Sequence, residues 1–426
     1  MRIDSLVIKN FKGYSERTFE FAPSFNLLVG PNGVGKTSAL DALAVTAGSW
    51  LLGVRGYDSR HFYPSDVRLA PRTYDGEFRF EEQYPIEIIA TGQVLGSPCT
   101  WSRSLSRPKG RSTTGGALAL RRLAASADKQ VRDGEPVTLP LISYYGTGRL
   151  WLEPRHNAQV KNADKLAKKR ELSRLEGYKN SVDPRLSVSD LVRWIARHSW
   201  ISYQQGHETS VFRMVKKAIL DCVEDAENLY FDPKRGEVVV VMKEHGPQPF
   251  SNLSDGQRTM LAMIGDIAQK ATKLNPQFGD KVLQECPGVV LIDELDLHLH
   301  PRWQRHVIHD LKSTFPKIQF FATTHSPQIV GQALAQEVIL LDTDSAVNPA
   351  QAYGMDTNWI LKHLMGAESE TSEMRDGVSQ IRQWIEANEL EKARKKLQEL
   401  RSLIQGDRPD LAEAAAAIDR IERLRQ

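Results

Sequence analysis

The chain has 426 residues, more than the roughly 100–200 residues of a typical single domain, so several folded parts are expected. With 26% charged residues, 41% hydrophobic residues and a formal net charge of +3, its bulk charge gives no argument for nucleic-acid binding. Cys99, Cys222 and Cys286 lie far apart without a CxxC pair, which excludes a cysteine-bound zinc site and indicates a reducing compartment. No signal-peptide core and no apolar run of about 18 residues is found, which predicts a cytoplasmic protein without membrane contact.

The first part of the chain, residues 1–100, is predicted to be rich in strands. Ile3–Ile8 and Tyr14–Phe21 have strand patterns, and Phe25–Val29 is a continuous apolar strand. A glycine-rich loop follows this third strand, and Ser38–Thr46 is predicted to be a helix.

Residues 101–235 are expected to form an inserted, largely helical lobe. Ser102–Glu135 is rich in Ser, Arg, Gly and Ala, a composition that favours a mobile or helical insertion. A basic, helix-prone run follows at Arg155–Arg174, and Leu191–Trp200 has the apolar spacing of an amphipathic helix.

Strand signals return in residues 236–345. Glu237–Met242 is a predicted strand, and apolar strands alternate with helical stretches from Pro287 to Leu341. This alternation predicts a parallel sheet with crossover helices, interrupted in sequence by the lobe. The overall fold class is therefore α/β.

Residues 346–426 are predicted to be a C-terminal helical extension. Apolar residues recur at helical spacing from Val378 to Ile404, Gly406–Pro409 breaks the pattern, and Leu411–Leu424 resumes it. Two helices separated by one break predict a helical hairpin.

The sequence Gly-Pro-Asn-Gly-Val-Gly-Lys-Thr, after the third strand, matches the GxxxxGK[ST] phosphate-binding loop. Its main-chain N–H groups would surround the β-phosphate of ATP, Lys36 would lie between the β- and γ-phosphates, and Thr37 would ligate Mg²⁺. A glycine turn without a ligand is the alternative, and the strand and helix on either side disfavour it. The predicted nucleotide-binding residues are Gly30, Pro31, Asn32, Gly33, Val34, Gly35, Lys36, Thr37 and Ser38.

The segment Gly288–Glu294 has the pattern of a buried parallel strand that ends in two carboxylates. Asp293 would hold Mg²⁺, and Glu294 would act as the general base on the attacking water. Such a strand end is common on its own, and its pairing with the phosphate loop makes the catalytic interpretation persuasive.

Two further segments have ordinary structural explanations when each is taken alone. Leu253–Gln257 precedes an apolar helix, Met260–Ala268, with Ser254 placed to cap it. Phe320–Thr324 is an apolar strand that ends at His325, directly before a helix that begins at Pro327.

In the order GPNGVGKT, LSDGQ, LIDELDLHLHP and ATTHSPQ, the motifs resemble the RecF/SMC-like branch of ATP-binding-cassette ATPases. The resemblance implies a P-loop ATPase head with a mixed sheet that binds ATP and Mg²⁺. It further implies that Ser254, Gly256 and Gln257 contact ATP held by a second copy, so that ATP joins two copies or a larger assembly.

The same resemblance implies two more site residues. His325 would contact the γ-phosphate and sense its loss, and Asp296 would lie in the loop that crosses the interface between two copies. Asp255 departs from the commoner glycine of this family and is expected to face away from the nucleotide.

Two assignments stay open at this point. His298 and His300 are spaced by one residue but lack the further ligands that a zinc site needs. The glutamine that this ATPase family carries near the metal is not determined, and Gln83 and Gln93 are its candidates.

A narrower resemblance rests on Ser143–Trp151, on Arg174–Tyr178 and on the short C-terminal helices. These segments resemble the PtuA family, the ATPases of Septu anti-phage systems, some of which are associated with retrons. The resemblance implies a regulatory ATPase that holds an HNH nuclease of the PtuB type through the C-terminal helices. DNA or a retron RNA–DNA molecule is a further candidate partner.

Three other functions are weighed against this one. A RecF-like DNA-repair ATPase would use basic runs at Arg103–Arg132 and Arg155–Arg174, including Lys165, Lys168, Lys169 and Arg170, although solvated helix faces explain these runs equally well. An OLD-like nuclease would need a domain of about 100 more residues, and only the helical tail follows the acidic pair Asp342 and Asp344. A transporter subunit is disfavoured by the long insertion.

Overall fold

The computed structural model describes residues 1–74, 77–108, 110, 112–149, 173–223, 225–343, 345–367, 371–404, 406 and 408–425. Lys165, Lys168, Lys169 and Arg170 lie outside the described residues, as do Trp151, Asp344 and nearly all of Arg155–Arg174. The chain divides into two units, Met1–Ile360 and Leu361–Gln426.

The strands of the described residues, in chain order, are β1 (Arg2–Phe11), β2 (Tyr14–Glu20), β3 (Phe25–Val29), β4 (Arg68–Tyr74), β5 (Glu77–Gln83), β6 (Ile86–Val94), β7 (Ser97–Leu105), β8 (Leu141–Tyr145), β9 (Ala226–Asp232), β10 (Glu237–Met242), β11 (Gly246–Pro249), β12 (Gly288–Ile292), β13 (Ile318–Thr323), β14 (Val338–Leu341) and β15 (Ala346–Val347).

The α-helices of the described residues are α1 (Lys36–Ala47), α2 (Leu118–Arg132), α3 (Val188–Gln205), α4 (Ser210–Cys222), α5 (Asp255–Leu274), α6 (Val282–Glu285), α7 (Pro301–Gln304), α8 (Val307–Thr314), α9 (Pro327–Val330), α10 (Thr357–His363), α11 (Ser372–Glu386), α12 (Leu390–Ile404) and α13 (Pro409–Arg425). Short 3₁₀ turns occupy Gly48–Gly53, Pro64–Asp66, Gly115–Ala117, Arg174–Tyr178, Phe250–Asn252, Pro276–Lys281 and Ala335–Glu337.

A six-stranded sheet with the order β15-β14-β3-β13-β12-β8 is the centre of the first unit. Strands β14, β3, β13, β12 and β8 run parallel, and β15 joins the edge antiparallel. Every residue of β3, β8, β12 and β13 is buried, as expected for parallel strands that are covered on both faces. The mixed sheet confirms the predicted α/β fold class.

A second sheet, with the order β2-β1-β6-β7, is antiparallel and joins the central sheet through a buried amide. The Gln319 side chain on β13 accepts a hydrogen bond from the Ile3 main-chain N–H at 2.8 Å and donates to the Ile3 carbonyl at 2.8 Å. Because both polar groups of the amide are satisfied, a glutamine is tolerated at a buried position of β13. Strands β11-β10-β9 and β4-β5 form two smaller sheets.

Residues 101–235 contain more sheet than the sequence suggested. Helices α2, α3 and α4 lie in this range, as expected, but β8 and β9 lie there too. Strand β8 pairs in parallel with β12, with Tyr144 opposite Leu291, so the chain returns to the central sheet within the range expected to be a helical lobe. The division into residues 1–100, 101–235, 236–345 and 346–426 stays a prediction.

Among the described residues after residue 370, the chain forms three helices, α11, α12 and α13, so the predicted hairpin was wrong in its number of helices. Helix α11 ends at Glu386, Asn388 follows with a φ of +64°, and α12 begins at Leu390. The apolar spacing continues across this turn, which is why the sequence pattern suggested one helix. The three helices share their own core, which includes Ile381, Ala393, Leu400, Leu411 and Ile418.

Candidate nucleotide-binding site

The phosphate-binding loop lies at the carboxyl end of β3 and leads into α1, as predicted. Gly33 and Gly35 have φ values of +82° and +106°, a region that favours glycine. A Cβ at Gly35 would lie 2.7 Å from the Tyr14 hydroxyl, which donates to the Gly35 carbonyl at 2.9 Å. Residues 32–35 form a tight turn with two positive φ values, the kind of backbone that gathers main-chain N–H groups around an anion.

Lys36 lies at the first position of α1 and its side chain is buried. Its ammonium donates to the carbonyls of Gly30 and Pro31 at 2.8 and 2.9 Å, within the same loop. Burial lowers the pKa of Lys36, and the nearby carboxylates of Asp293, Glu294 and Asp296 act in the opposite direction. The phosphate loop and the carboxylates are thus close enough to interact electrostatically.

A chain of hydrogen bonds joins the phosphate loop to two neighbouring strands. The Thr37 hydroxyl lies 3.0 and 3.2 Å from the carboxylate oxygens of Asp293, which follows β12. Thr323, the last residue of β13, donates from its hydroxyl to Asp293 at 2.7 Å, and its oxygen accepts from the Glu294 main-chain N–H at 2.7 Å. The hydroxyl and carboxylate oxygens suit Mg²⁺, which takes one or two protein ligands besides phosphate and water oxygens.

Glu294 has an unusual backbone conformation that the sequence did not indicate. Its φ is +49°, in the left-handed region that non-glycine residues seldom occupy. Its carbonyl accepts a hydrogen bond from the Arg149 guanidinium at 2.9 Å. In the sequence, Arg149 stands out only as part of the segment Ser143–Trp151. Four of the five residues before Gly146 are apolar or aromatic, which is the local signal for a strand that ends beside this site.

Asp296 holds the end of β13 within its own chain. One of its carboxylate oxygens accepts from the Thr324 hydroxyl at 2.6 Å and from the His325 main-chain N–H at 3.1 Å. The His325 side chain is exposed, and Ser326 caps the next helix. Asp296 and His325, predicted as separate site residues, are therefore neighbours in space.

The segment Leu253–Gln257, the signature segment of this site, forms the start of α5. Ser254 is the N-cap, with its hydroxyl accepting from the Gln257 N–H at 3.3 Å while the Gln257 side chain accepts from the Ser254 N–H at 3.0 Å. Asp255 pairs with Arg258 on the same helix. A Cβ at Gly256 would lie 2.2 Å from the His298 carbonyl, so this glycine lets α5 approach the loop after β12. Ser254 is exposed, and among the described residues its hydroxyl accepts from the Gln257 N–H and makes no hydrogen bond with residues 30–38.

The structure places the two candidate glutamines away from the central sheet. Gln83 ends β5, and Gln93 lies on β6. Strands β13 and β8 are the two neighbours of β12. The carboxyl end of β8 continues into residues 146–149, and this segment beside the site contains no glutamine.

The two other candidate sites in the sequence are the histidines His298 and His300 and the basic run that begins at Arg103. Across the described ranges, no group of three or more His, Cys, Asp or Glu side chains is arranged to hold a metal ion. Arg103, the first residue of one predicted basic run, is fully buried and its guanidinium hydrogen-bonds Ser59 and His61 at 3.1 and 3.3 Å. Arg103 therefore does not contribute to a surface for nucleic-acid phosphates.

No helix in the described part of the chain has the length and apolar character to cross a membrane.

The chain matches the models of two known protein families. The family model "AAA domain, putative AbiEii toxin, Type IV TA system" matches residues 25–331, which include the phosphate loop, the signature segment and His325. The model "AAA ATPase domain" matches residues 1–48.

The chain is also similar to individual proteins and to a solved structure. The chain is 25% identical over 430 residues to "Retron Ec83 probable ATPase" of Escherichia coli, covering 85% of this chain and 76% of the relative. It is 24% identical over 387 residues to "Septu protein PtuA" of Bacillus thuringiensis, covering 87% and 86%. A solved structure, "Crystal structure of the SmcHead bound to the C-winged helix domain of ScpA", aligns with 82% of this chain and 98% of that chain at a TM-score of 0.46 and 15% identity.

Proposed function

The chain belongs to this AAA-domain family, and from that premise we propose that it is the regulatory ATPase subunit of a bacterial anti-phage defence complex. Its enzymatic activity is the hydrolysis of ATP. Similarity to a retron ATPase and to a Septu protein supports the defence role. The finer proposal is that ATP joins two copies of the chain, and that this assembly controls an HNH nuclease.

The observation that carries the proposal is the hydrogen-bond chain from Thr37 through Asp293 to Thr323 and Glu294. It brings together the carboxyl ends of three parallel strands, the edge at which ligands of such sheets bind. A glycine turn or an isolated acidic strand end would have no need for this linkage. The arrangement fits one nucleotide with its phosphates between α1 and β12.

Each residue has a proposed role in hydrolysis. The N–H groups of residues 32–35 and the Lys36 ammonium bind the phosphates, and Thr37 and Asp293 would hold Mg²⁺, which neutralises charge on the phosphate oxygens when it is bound. Glu294 orients the attacking water and accepts its proton. His325, exposed at the end of β13, contacts the γ-phosphate.

Closure over the nucleotide would come from a second copy. Ser254 is exposed at the positive end of α5, a helix of 20 residues, and its hydroxyl and the nearby N–H groups are suited to a phosphate oxygen. Gly256 lies against the carbonyl of His298, so closure would be transmitted to the loop that follows Glu294. The C-terminal unit, with its separate core, is proposed as the docking site of the nuclease.

The experiment that tests the proposal uses Glu294→Gln in the full chain. We expect ATP to bind while kcat falls about 100-fold or more, because the amide cannot accept the proton of the attacking water. We also expect ATP and Mg²⁺ to double the particle mass of this variant, measured by light scattering. Turnover at the wild-type rate would refute the role of Glu294, and an unchanged mass with ATP bound would refute the two-copy assembly.

A further inference from the structure

The Arg149 side chain lies beneath the loop that carries Asp293 and Glu294. The guanidinium is almost completely buried, at 1% exposure. It donates to the carbonyls of Asp293 at 2.7 Å, Glu294 at 2.9 Å and Gly146 at 3.1 Å. A buried charge normally has a carboxylate partner, whereas every hydrogen bond recorded for Arg149 among the described residues goes to a main-chain carbonyl.

The segment that supplies Arg149 is anchored to the same loop. The main-chain N–H of Asp293 donates to the Tyr145 carbonyl at 2.8 Å, at the end of β8. The N–H of Gly146 donates to Pro184 at 2.6 Å, and a Cβ at Gly146 would lie 2.7 Å from the Pro184 side chain. The turn before Arg149 is therefore held on both sides, and the guanidinium has little freedom to move away.

The contact matters because of the backbone conformation of Glu294. A left-handed conformation at a non-glycine residue costs on the order of 1–2 kcal/mol and persists only where the surroundings impose it. Here the N–H of Glu294 is held by Thr323, and its carbonyl is held by Arg149 and by the Leu297 N–H at 3.0 Å. Arg149 also holds the preceding carbonyl, that of Asp293, so two successive peptide groups are constrained by one planar side chain.

An arginine suits this place better than a lysine. Burial lowers the pKa of Arg149 to about 10, with Asp293, Glu294 and Asp296 acting in the opposite direction, so the group stays protonated near neutral pH. The planar guanidinium group donates to the carbonyls of Asp293 and Glu294 at once, whereas the ammonium group of a lysine is a single charge at the end of a flexible side chain. A lysine would keep the charge and lose the two-point constraint.

We propose that Arg149 is a positioning residue for ATP hydrolysis, which holds the Asp293 and Glu294 peptides so that the Glu294 carboxylate faces the attacking water. This proposal rests on the proposed role of Glu294 as the general base. Arg149 acts on the main chain of these residues, so it affects the rate of the chemical step more than the binding of ATP.

The test measures kcat and KM for ATP with Mg²⁺ in Arg149→Gln and Arg149→Lys, using the full chain and correcting for the folded fraction at the assay temperature. We expect kcat to fall about tenfold to hundredfold in Arg149→Gln, with a smaller fall in Arg149→Lys and little change in KM. If Arg149→Gln does not fold, Arg149→Lys, which keeps the charge and most of the volume, decides the question.

Arg174→Gln is the matched control. Arg174 also donates to main-chain carbonyls, those of Leu274 and Val137, but it lies outside the proposed machinery. We expect this control to lower thermal stability and leave kcat per folded molecule unchanged. A kcat loss in Arg149→Lys that matches only its loss of folded protein, or a raised KM with normal kcat, would show that Arg149 is merely structural.

Glu294→Gln separates the two proposals. If this variant is inactive while Arg149→Gln and Arg149→Lys retain wild-type kcat, only the positioning role of Arg149 is overturned. If Glu294→Gln itself turns over normally, the proposed base is wrong, and the positioning role falls with it.

Discussion

The absence of a Cβ atom at two glycines allows the conformation and packing of the phosphate loop. At Gly35 a methyl group would collide with the Tyr14 hydroxyl, and the φ of +106° would be strained for any other residue. At Gly33 the φ is also positive, at +82°, but a Cβ would meet no atom within 4 Å. The two glycines therefore separate the cost of backbone strain from the cost of a steric collision.

Gly33→Ala and Gly35→Ala test this difference. Gly33→Ala should destabilise the native conformation of the loop by about 1–2 kcal/mol, from backbone strain alone. Gly35→Ala should cost more, since Tyr14 must also move and its hydrogen bond to the loop is lost. Titration with ATP should show that both variants bind ATP more weakly than the wild type, and that Gly35→Ala binds it more weakly than Gly33→Ala. Equal affinities of the two variants would contradict the role assigned to Tyr14.

At the scale of elements, α5 connects the signature segment with the loop after β12. The capping box at Ser254 and Gln257 satisfies two N–H groups at the helix start. Gly256 then allows the helix to touch the His298 carbonyl. The same few residues thus begin a helix, shape a contact within the chain and leave the Ser254 hydroxyl exposed, as the proposed contact with a phosphate requires.

Ser254→Ala in the Glu294→Gln background should weaken assembly with ATP. Loss of the cap should lower stability by about 1 kcal/mol, and loss of the hydroxyl should raise the protein concentration at which the mass doubles. Ser251→Ala is the control, because Ser251 lies three residues earlier, is exposed and hydrogen-bonds Glu237 instead. Identical assembly curves for the two serine variants would rule out the proposed contact of Ser254.

For the molecule as a whole, the second unit can be considered separately from the ATPase unit. Helices α11, α12 and α13 surround a core of their own, and Arg394 on α12 pairs with Asp419 and Glu422 on α13 at 3.0 and 2.8 Å. The residues assigned to ATP binding and hydrolysis all lie in the first unit. A unit with its own hydrophobic core can fold independently, as a domain does.

A chain that ends at Gly366 should therefore keep its ATPase activity, because α10 and the whole nucleotide site are retained. Binding of the HNH nuclease should be lost, since α11, α12 and α13 are removed. Co-purification of the nuclease with each form measures the second effect, and steady-state ATP turnover measures the first. Retention of the nuclease by the shortened chain would place its docking site in the first unit.

Local patterns were sufficient for much of the fold. The strand Phe25–Val29, the strand Glu237–Met242 and the helix after the phosphate loop follow from runs of neighbouring residues and are present in the structure. The separation of α11 from α12 was missed, because the turn at Asn388 interrupts the helix without interrupting the apolar spacing. Strand β8 was missed because its place beside β12 depends on a partner far away in sequence.

The glycine-rich loop, the acidic strand end and the helix cap could be predicted from local sequence, because neighbouring residues encode turns, caps and hydrophobic runs. Which side chains join these three features depends on how distant parts of the chain pack together. Thr37 and Asp293 are 256 residues apart, and Arg149 and Asp293 are 144 apart. Such contacts arise from the order of strands in the sheet, and the left-handed conformation of Glu294 exists because those distant groups hold its peptide in place.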